Sequence, residues 1–150
     1  MSETPESMNI QEIMEALPHR YPFLLVDRIT KIEGPDRAHG IKQLTLNEEF
    51  FNGYLPDAPQ MPPTLLSEAM AQTGAAIILS APEAKDKYIL FGAIDNAHFQ
   101  RNAVPGERLD IDVQMLKIRK DAGKTRVICR VDGEEIARAD FMFALSTQVK

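Results

Sequence analysis

One carboxylate interrupts the most apolar stretch of the chain and is the first candidate for chemistry. Residues 64–79 are mostly apolar, and Glu68 is the single charged side chain among them. Burying an unpaired carboxylate costs several kcal/mol, so a functional or interface role is favoured for it. The alternative is an ordinary acid near the positive end of a helix dipole. In a sheltered site, a carboxyl group can act as a general acid or base.

Three histidines and one cysteine are the other candidates for proton transfer or nucleophilic attack. A structural role is expected for His19, and an exposed position near a turn for His39. His98 precedes Phe99 in a strand pattern, and neighbouring side chains alternate between faces. His98 therefore reaches the interior only if Phe99 does not. Cys129 lies in an apolar strand pattern and is expected to be a buried thiol rather than a nucleophile.

Two helices and six strands are expected to position these side chains. Asn9 and Glu12 have the spacing of a capping box before a short helix that Pro18 ends. The long helix, residues 64–79, is apolar on all sides and should be central and buried. Strand patterns cover residues 23–32, 37–46, 88–101, 109–120, 124–132 and 135–145.

This order of elements predicts an α+β fold in which an antiparallel sheet wraps around one long central helix. A sheet of this size leaves part of such a helix uncovered, so a second subunit is expected to cover it. Residues 1–8 are expected to be a disordered lead, and residues 9–150 a single domain, which is long enough to bury a real core.

The composition of the chain limits the classes of partner and the cellular location that we expect. The formal net charge of −5 argues against nucleic acid, because phosphate binding needs a basic face. No apolar run reaches the roughly 20 residues of a membrane-spanning helix, and residues 1–8 lack the basic and apolar regions of a secretory signal. With one cysteine, no internal disulfide can form, which fits a reducing compartment. We therefore expect a cytoplasmic protein without a nucleic-acid or membrane partner.

Three segments carry a resemblance to a known family. Residues 17–28 read LPHRYPFLLVDR, residues 50–72 read FFNGYLPDAPQMPPTLLSEAMAQ, and residues 99–109 read FQRNAVPGERL. In order and spacing they resemble the (3R)-hydroxyacyl-acyl-carrier-protein dehydratases of the FabZ family. The resemblance implies a hot-dog fold and a dimer with two active sites at the subunit boundary, often assembled into a trimer of dimers.

The resemblance also implies the reaction and its partners. The family removes water from a 3-hydroxyacyl chain carried by acyl carrier protein, and it needs no metal or redox cofactor. Acyl carrier protein or an acyl-CoA thioester is therefore the expected partner. The expected substrate-binding residues are Leu55, Met61, Pro62, Pro63, Thr64 and Phe99. Their alternative role is core packing.

Two positions depart from the chemistry that the resemblance implies. The family uses a loop histidine, a helix glutamate from the other subunit, and a backbone N–H of the glycine in a Met-Pro-Gly step. Glu68 matches the glutamate, but Tyr54 stands at the histidine and Pro63 at the glycine. A phenol is a poor base near neutral pH, and proline has no N–H. Asp57 also replaces a family glycine. Tyr54 is either a hydrogen-bond donor in the site or an aromatic filler.

These departures predict that dehydration is weak or absent. Losing a general base costs about 10²–10⁴ in rate, and losing one oxyanion donor costs about 10²–10³. Three other functions stay open: a thioesterase that uses Glu68 with the Thr64 N–H as donor, a non-catalytic partner of a histidine-bearing paralogue, and an acyl-chain binder. A different nitrogen base beside Glu68, whether His98 or another, would contradict the view that the site lacks a base.

Overall fold

The first helix is capped as its sequence predicts. The computed structural model describes residues 5–147, and α1 spans Ile10–Ala16. The Asn9 side chain accepts hydrogen bonds from the N–H groups of Gln11 and Glu12, and the Glu12 carboxylate accepts one from the Asn9 N–H. This confirms the predicted capping box, which satisfies helix N–H groups that have no partner within the helix.

Two further α-helices, a short 3₁₀ helix and six strands complete the described residues. The strands are β1 (Arg28–Glu33), β2 (Arg37–Gln43), β3 (Lys87–Phe99), β4 (Arg108–Arg119), β5 (Ala122–Val131) and β6 (Glu134–Thr147). The helices are α2 (Phe50–Gly53) and α3 (Pro63–Leu79), and the 3₁₀ helix is Pro82–Ala84.

The strands form one antiparallel sheet in the order β1-β2-β4-β5-β6-β3. α3 contacts strands β1 to β5, so the sheet curves around this helix. The predicted α+β fold with a sheet wrapped around one long helix is confirmed, and it is the hot-dog arrangement. Its main core contains Leu66, Ala69 and Met70 of α3 packed with inward-facing residues of β4, β5 and β6.

The long helix is buried over its middle turns, as predicted. Every residue from Ala69 to Ala76 is buried. The helix approaches β2 closely because Gly40 has no side chain: a Cβ there would lie only 2.6 Å from Thr73 Cγ2. No helix within residues 5–147 is long and apolar enough to cross a membrane.

Strand β3 is an edge of the sheet, and its apolar side chains are exposed. Within the described part of the chain, β3 pairs only with β6. The exposed apolar residues on it are Leu90, Phe91, Ile94 and Phe99. An unpaired strand of this kind is a template for pairing with another chain.

The sequence misplaced several boundaries. β1 begins at Arg28 instead of residue 23, and the preceding residues form a loop over α3, where Leu25 and Val26 are buried. Residues 1–4 of the predicted lead and residues 148–150 lie outside the described residues. Met8 is buried and forms a bridge to Ile29, so chain contacts with the sheet begin before the predicted domain start at Asn9.

Candidate active site

Glu68 lies on α3 and is held by a buried amide one turn later. Gln72 Nε2 donates to Glu68 Oε1 at 2.9 Å and to the Phe23 carbonyl at 2.7 Å. Gln72 Oε1 accepts from the Leu25 N–H at 2.7 Å. The Glu68 side chain keeps 27% of its exposure, so its carboxylate is oriented by the fold and still open on one side.

A nitrogen base lies beside this carboxylate. His19 Nε2 is 3.8 Å from Glu68 Oε1, and the His19 side chain is 26% exposed. His19 Nδ1 is buried, and no described residue gives it a hydrogen-bond partner. Sequence reasoning assigned His19 a structural role and expected no base next to Glu68. Nothing local signals the pairing, because the loop after α1 meets α3 only in the folded chain.

Tyr54 ends the short helix α2 and is half-buried. None of the side-chain hydrogen bonds found within residues 5–147 uses its hydroxyl. The next residue, Leu55, has a φ of +48° and is exposed. A positive φ is uncommon for a branched side chain, so the loop after Tyr54 turns sharply and leaves Leu55 pointing away from the core.

The start of α3 contains the predicted oxyanion position. Pro63 is the first helical residue, a position that suits proline because no helix acceptor is available there. The Pro62 carbonyl accepts from the N–H groups of Leu65 and Leu66. Thr64 is exposed, and none of the hydrogen bonds among the described residues uses its N–H. The first free N–H of α3 therefore belongs to Thr64.

Met61 and Phe99, two other predicted binding residues, differ in burial. Met61 is fully buried in the main core, and its N–H donates to the Ala103 carbonyl, so its side chain packs within this chain. Phe99 ends β3 and is 37% exposed. His98 is exposed on the same strand, and no ion pair among the described residues joins it to Glu68.

Two remaining candidates have structural explanations. His39 is half-buried on β2, with Nδ1 2.8 Å from Asp112 Oδ1 and Nε2 3.5 Å from Asp110 Oδ1, instead of freely exposed as expected. Cys129 is fully buried, and burial raises the pKa of its thiol to about 12. The prediction that Cys129 is a buried thiol is confirmed.

An apolar recess of about 340 Å³ lies beside Phe23 and Leu65. Its walls are Pro22, Phe23, Leu25, Glu49, Phe50 and Leu65. Phe23 also contacts the His19 ring, with centroids 5.6 Å apart. Leu65 precedes Glu68 by one helical turn, so the two side chains share a face of α3. The arrangement combines an acid, a base and an apolar recess, which is what proton transfer on an acyl chain requires.

Comparison with known proteins gives the family. A family model described as a FabA-like domain matches residues 17–140. The chain is 44% identical over 138 residues to the 3-hydroxyacyl-[acyl-carrier-protein] dehydratase FabZ of Bacillus licheniformis, covering 92% of this chain and 96% of that protein. The FabZ of Exiguobacterium sibiricum is 47% identical over 136 residues, covering 91% and 97%.

Solved structures agree on the fold. A chain of the dehydratase heterocomplex ApeI:P from Xenorhabdus doucetiae superposes with a TM-score of 0.77 at 16% identity, covering 91% of each chain. A mutant thioesterase from Pseudomonas aeruginosa gives 0.71 at 11% identity, covering 97% of each chain. The sequence identities over nearly the whole length decide the assignment: this chain belongs to the FabZ family of 3-hydroxyacyl-acyl-carrier-protein dehydratases.

Proposed function

We propose that this chain binds 3-hydroxyacyl thioesters, carried by acyl carrier protein or by CoA, and that by itself it dehydrates them slowly or not at all. Its relatives are named as dehydratases of 3-hydroxyacyl-acyl-carrier-protein, which supports the substrate class. The observation that supports slow or absent dehydration is that Pro63 is the first residue of α3. A proline offers no N–H where the family resemblance implies an oxyanion donor.

The expected loss of dehydration rate can be estimated from the usual size of each catalytic effect. One missing oxyanion donor lowers the rate about 10²–10³-fold. A phenol in place of the loop histidine removes a good base and leaves a hydrogen-bond donor. The Thr64 N–H is the nearest free donor at the helix start, one residue beyond the family position. The Thr64 N–H can contribute to substrate binding at the positive end of the helix. Because it lies one residue beyond the family position, it would be poorly aligned with the thioester oxygen.

Restoring the two family residues tests the proposal. We would measure formation of the enoyl thioester from 3-hydroxybutyryl-N-acetylcysteamine by its ultraviolet absorbance. We expect Tyr54→His alone to remain slow because Pro63 persists. Tyr54→His together with Pro63→Gly should gain about 10²–10³ in kcat over that single variant. The FabZ of Bacillus cereus, 46% identical to this chain, is the active reference.

Binding is measured in parallel, by native mass spectrometry with a 3-hydroxyacyl thioester. Wild-type turnover as fast as that of the reference would refute the proposed slow reaction. Absence of thioester binding would refute the substrate class. Release of free thiol that Glu68→Gln abolishes would instead assign thioesterase activity to this site.

A second candidate function is that of a non-catalytic partner for a histidine-bearing paralogue. One edge of β3 has no partner strand among residues 5–147, and Leu90, Phe91 and Ile94 on this strand are exposed, which favours association with another chain. One of the structurally similar proteins is described as a dehydratase heterocomplex. In such a pair, Glu68 of this chain would complete a site whose histidine comes from the paralogue.

A further inference from the structure

The backbone around His19 is held by Arg20, and the imidazole packs against the Phe23 ring. The Arg20 guanidinium donates to the carbonyls of Met14, Leu17 and His19 itself, at 2.7–2.9 Å. These bonds connect the last turn of α1 to the loop that contains His19. The Phe23 ring packs against the imidazole at an interplanar angle of 45°. Among residues 5–147, neither ring nitrogen has a hydrogen-bond partner.

The acid partner is tied to the same loop. Gln72 is 1% exposed and joins three groups: the Glu68 carboxylate, the Phe23 carbonyl and the Leu25 N–H. A buried amide that is satisfied in this way gives one well-defined geometry. Because Phe23 also contacts His19, the network sets the position of Glu68 relative to His19. Both groups belong to one subunit.

The spacing of the pair leaves room for a reacting group. At 3.8 Å, Nε2 and Oε1 are too far apart for a direct hydrogen bond, and both side chains retain about a quarter of their exposure. A buried polar atom without a partner, as His19 Nδ1 is among the described residues, calls for an explanation in a native structure. Such unsatisfied groups are found at functional sites, and the 340 Å³ recess beside Phe23 provides a place for an acyl chain.

We propose that His19 is a catalytic base of this chain and that Glu68 of the same subunit is its acid. The inference rests on the proposed function, since it assigns the slow reaction of the 3-hydroxyacyl thioester to these two residues. It also means that the phenol of Tyr54 need not supply the base.

The proposed step balances within the pair. His19 Nε2 removes a proton from the carbon next to the thioester, and the C–H electron pair becomes the new carbon–carbon double bond. The bond between C3 and the hydroxyl oxygen breaks, and the protonated Glu68 carboxyl gives its proton to the leaving hydroxyl, which departs as water. Return of the proton from the imidazolium to the carboxylate restores both groups.

The test uses the reverse reaction, hydration of crotonyl-N-acetylcysteamine, followed by loss of enoyl absorbance. We expect His19→Asn to lower kcat by about 10²–10⁴ with little change in KM. Because hydration reverses the proposed step, the His19 imidazolium is the proton donor in this assay, and the fall in the wild-type rate at alkaline pH should disappear in this variant. The matched control is His39→Asn, which removes another imidazole that lies beside a carboxylate and should leave the rate unchanged.

A structural role for His19 is separated by chemical rescue. In His19→Ala, added imidazole should restore part of the hydration rate, because it supplies the missing catalytic group. A purely structural role for His19 predicts no such rescue. Wild-type kcat and pH profile in a folded His19→Asn variant would overturn the assignment. So would a wild-type protein that binds the thioester without any turnover, although the proposed binding function would then stand. Failure of the wild type to bind the thioester would remove both proposals.

Discussion

At the residue scale, two carboxylates in this chain have opposite environments. Asp140 is 2% exposed and fully engaged: the Arg126 guanidinium donates to both of its oxygens, and Asn96 Nδ2 donates to one. The Arg126 hydrogen bonds, more than any other effect, hold the pKa of Asp140 below its usual value. Glu68 has only the Gln72 amide and a nearby imidazole, which leaves it free for proton transfer. The hydrogen bonds to both oxygens of Asp140 indicate a structural role for this carboxylate.

The Asp140 pair predicts a specific loss of stability in acid. Its pKa in the folded protein lies below the value of about 3.9 in an unfolded chain, so it stabilises the fold above that pH and loses this effect as the pH falls through the folded pKa. Asp140→Asn should lower the free energy of unfolding at pH 7 by about 1–3 kcal/mol. The difference from wild type should shrink below about pH 4.

Urea unfolding at pH 7 and at pH 3 measures this difference. Asp95→Asn is the matched control, because Asp95 lies opposite Asp140 in the sheet register but is 49% exposed beside Lys124. Its effect should stay within about 0.5 kcal/mol. An Asp140→Asn penalty of equal size at both pH values would contradict the assigned ionic role.

At the element scale, β3 is the strand whose surroundings are incomplete. Its central residues are exposed although they are apolar, and one of its edges has no partner within residues 5–147. Phe91 nevertheless packs edge-on against the buried Phe141, so β3 is anchored on its β6 side. The strand is therefore well positioned to pair with a second chain along its open edge.

We expect Ile94→Lys to prevent this association without unfolding the chain. Ile94 is 50% exposed, so a lysine there costs little in the free subunit but places a charge at the edge. Analytical ultracentrifugation should show a shift from dimer or larger assembly to monomer. Ile118→Lys, at a 63% exposed residue on β4, is the control and should leave the assembly intact. Unchanged assembly in Ile94→Lys would exclude β3 as the interface.

At the scale of the whole molecule, the second candidate function makes a prediction about assembly with another chain. If this chain is the partner of a histidine-bearing family member from the same organism, the co-expressed proteins should form a mixed species. That species should dehydrate faster than the histidine-bearing protein alone, and Glu68→Gln in this chain should abolish the gain. Strictly separate homo-oligomers after co-expression would rule out the second candidate function.

The local features of the chain were predictable from its residues. The Asn9–Glu12 cap, the long apolar helix and the approximate strand segments depend on neighbours in the sequence, so periodicity and turn residues reveal them. Pro63 could likewise be placed near a helix start, because proline is tolerated there and excluded from the interior. The substitution at Tyr54 was visible for the same reason, as part of a contiguous motif.

The candidate site itself depended on tertiary structure. His19 and Glu68 belong to segments that meet only when the loop after α1 folds across α3. The apolar residues 23–26 belong to that loop instead of a strand, because the Gln72 amide accepts from the Leu25 N–H and donates to the Phe23 carbonyl. Met61, for which both substrate contact and core packing were expected as possible roles, is buried, and its N–H donates to the Ala103 carbonyl. Proximity between distant segments is set by packing and long-range hydrogen bonds, which no local pattern encodes.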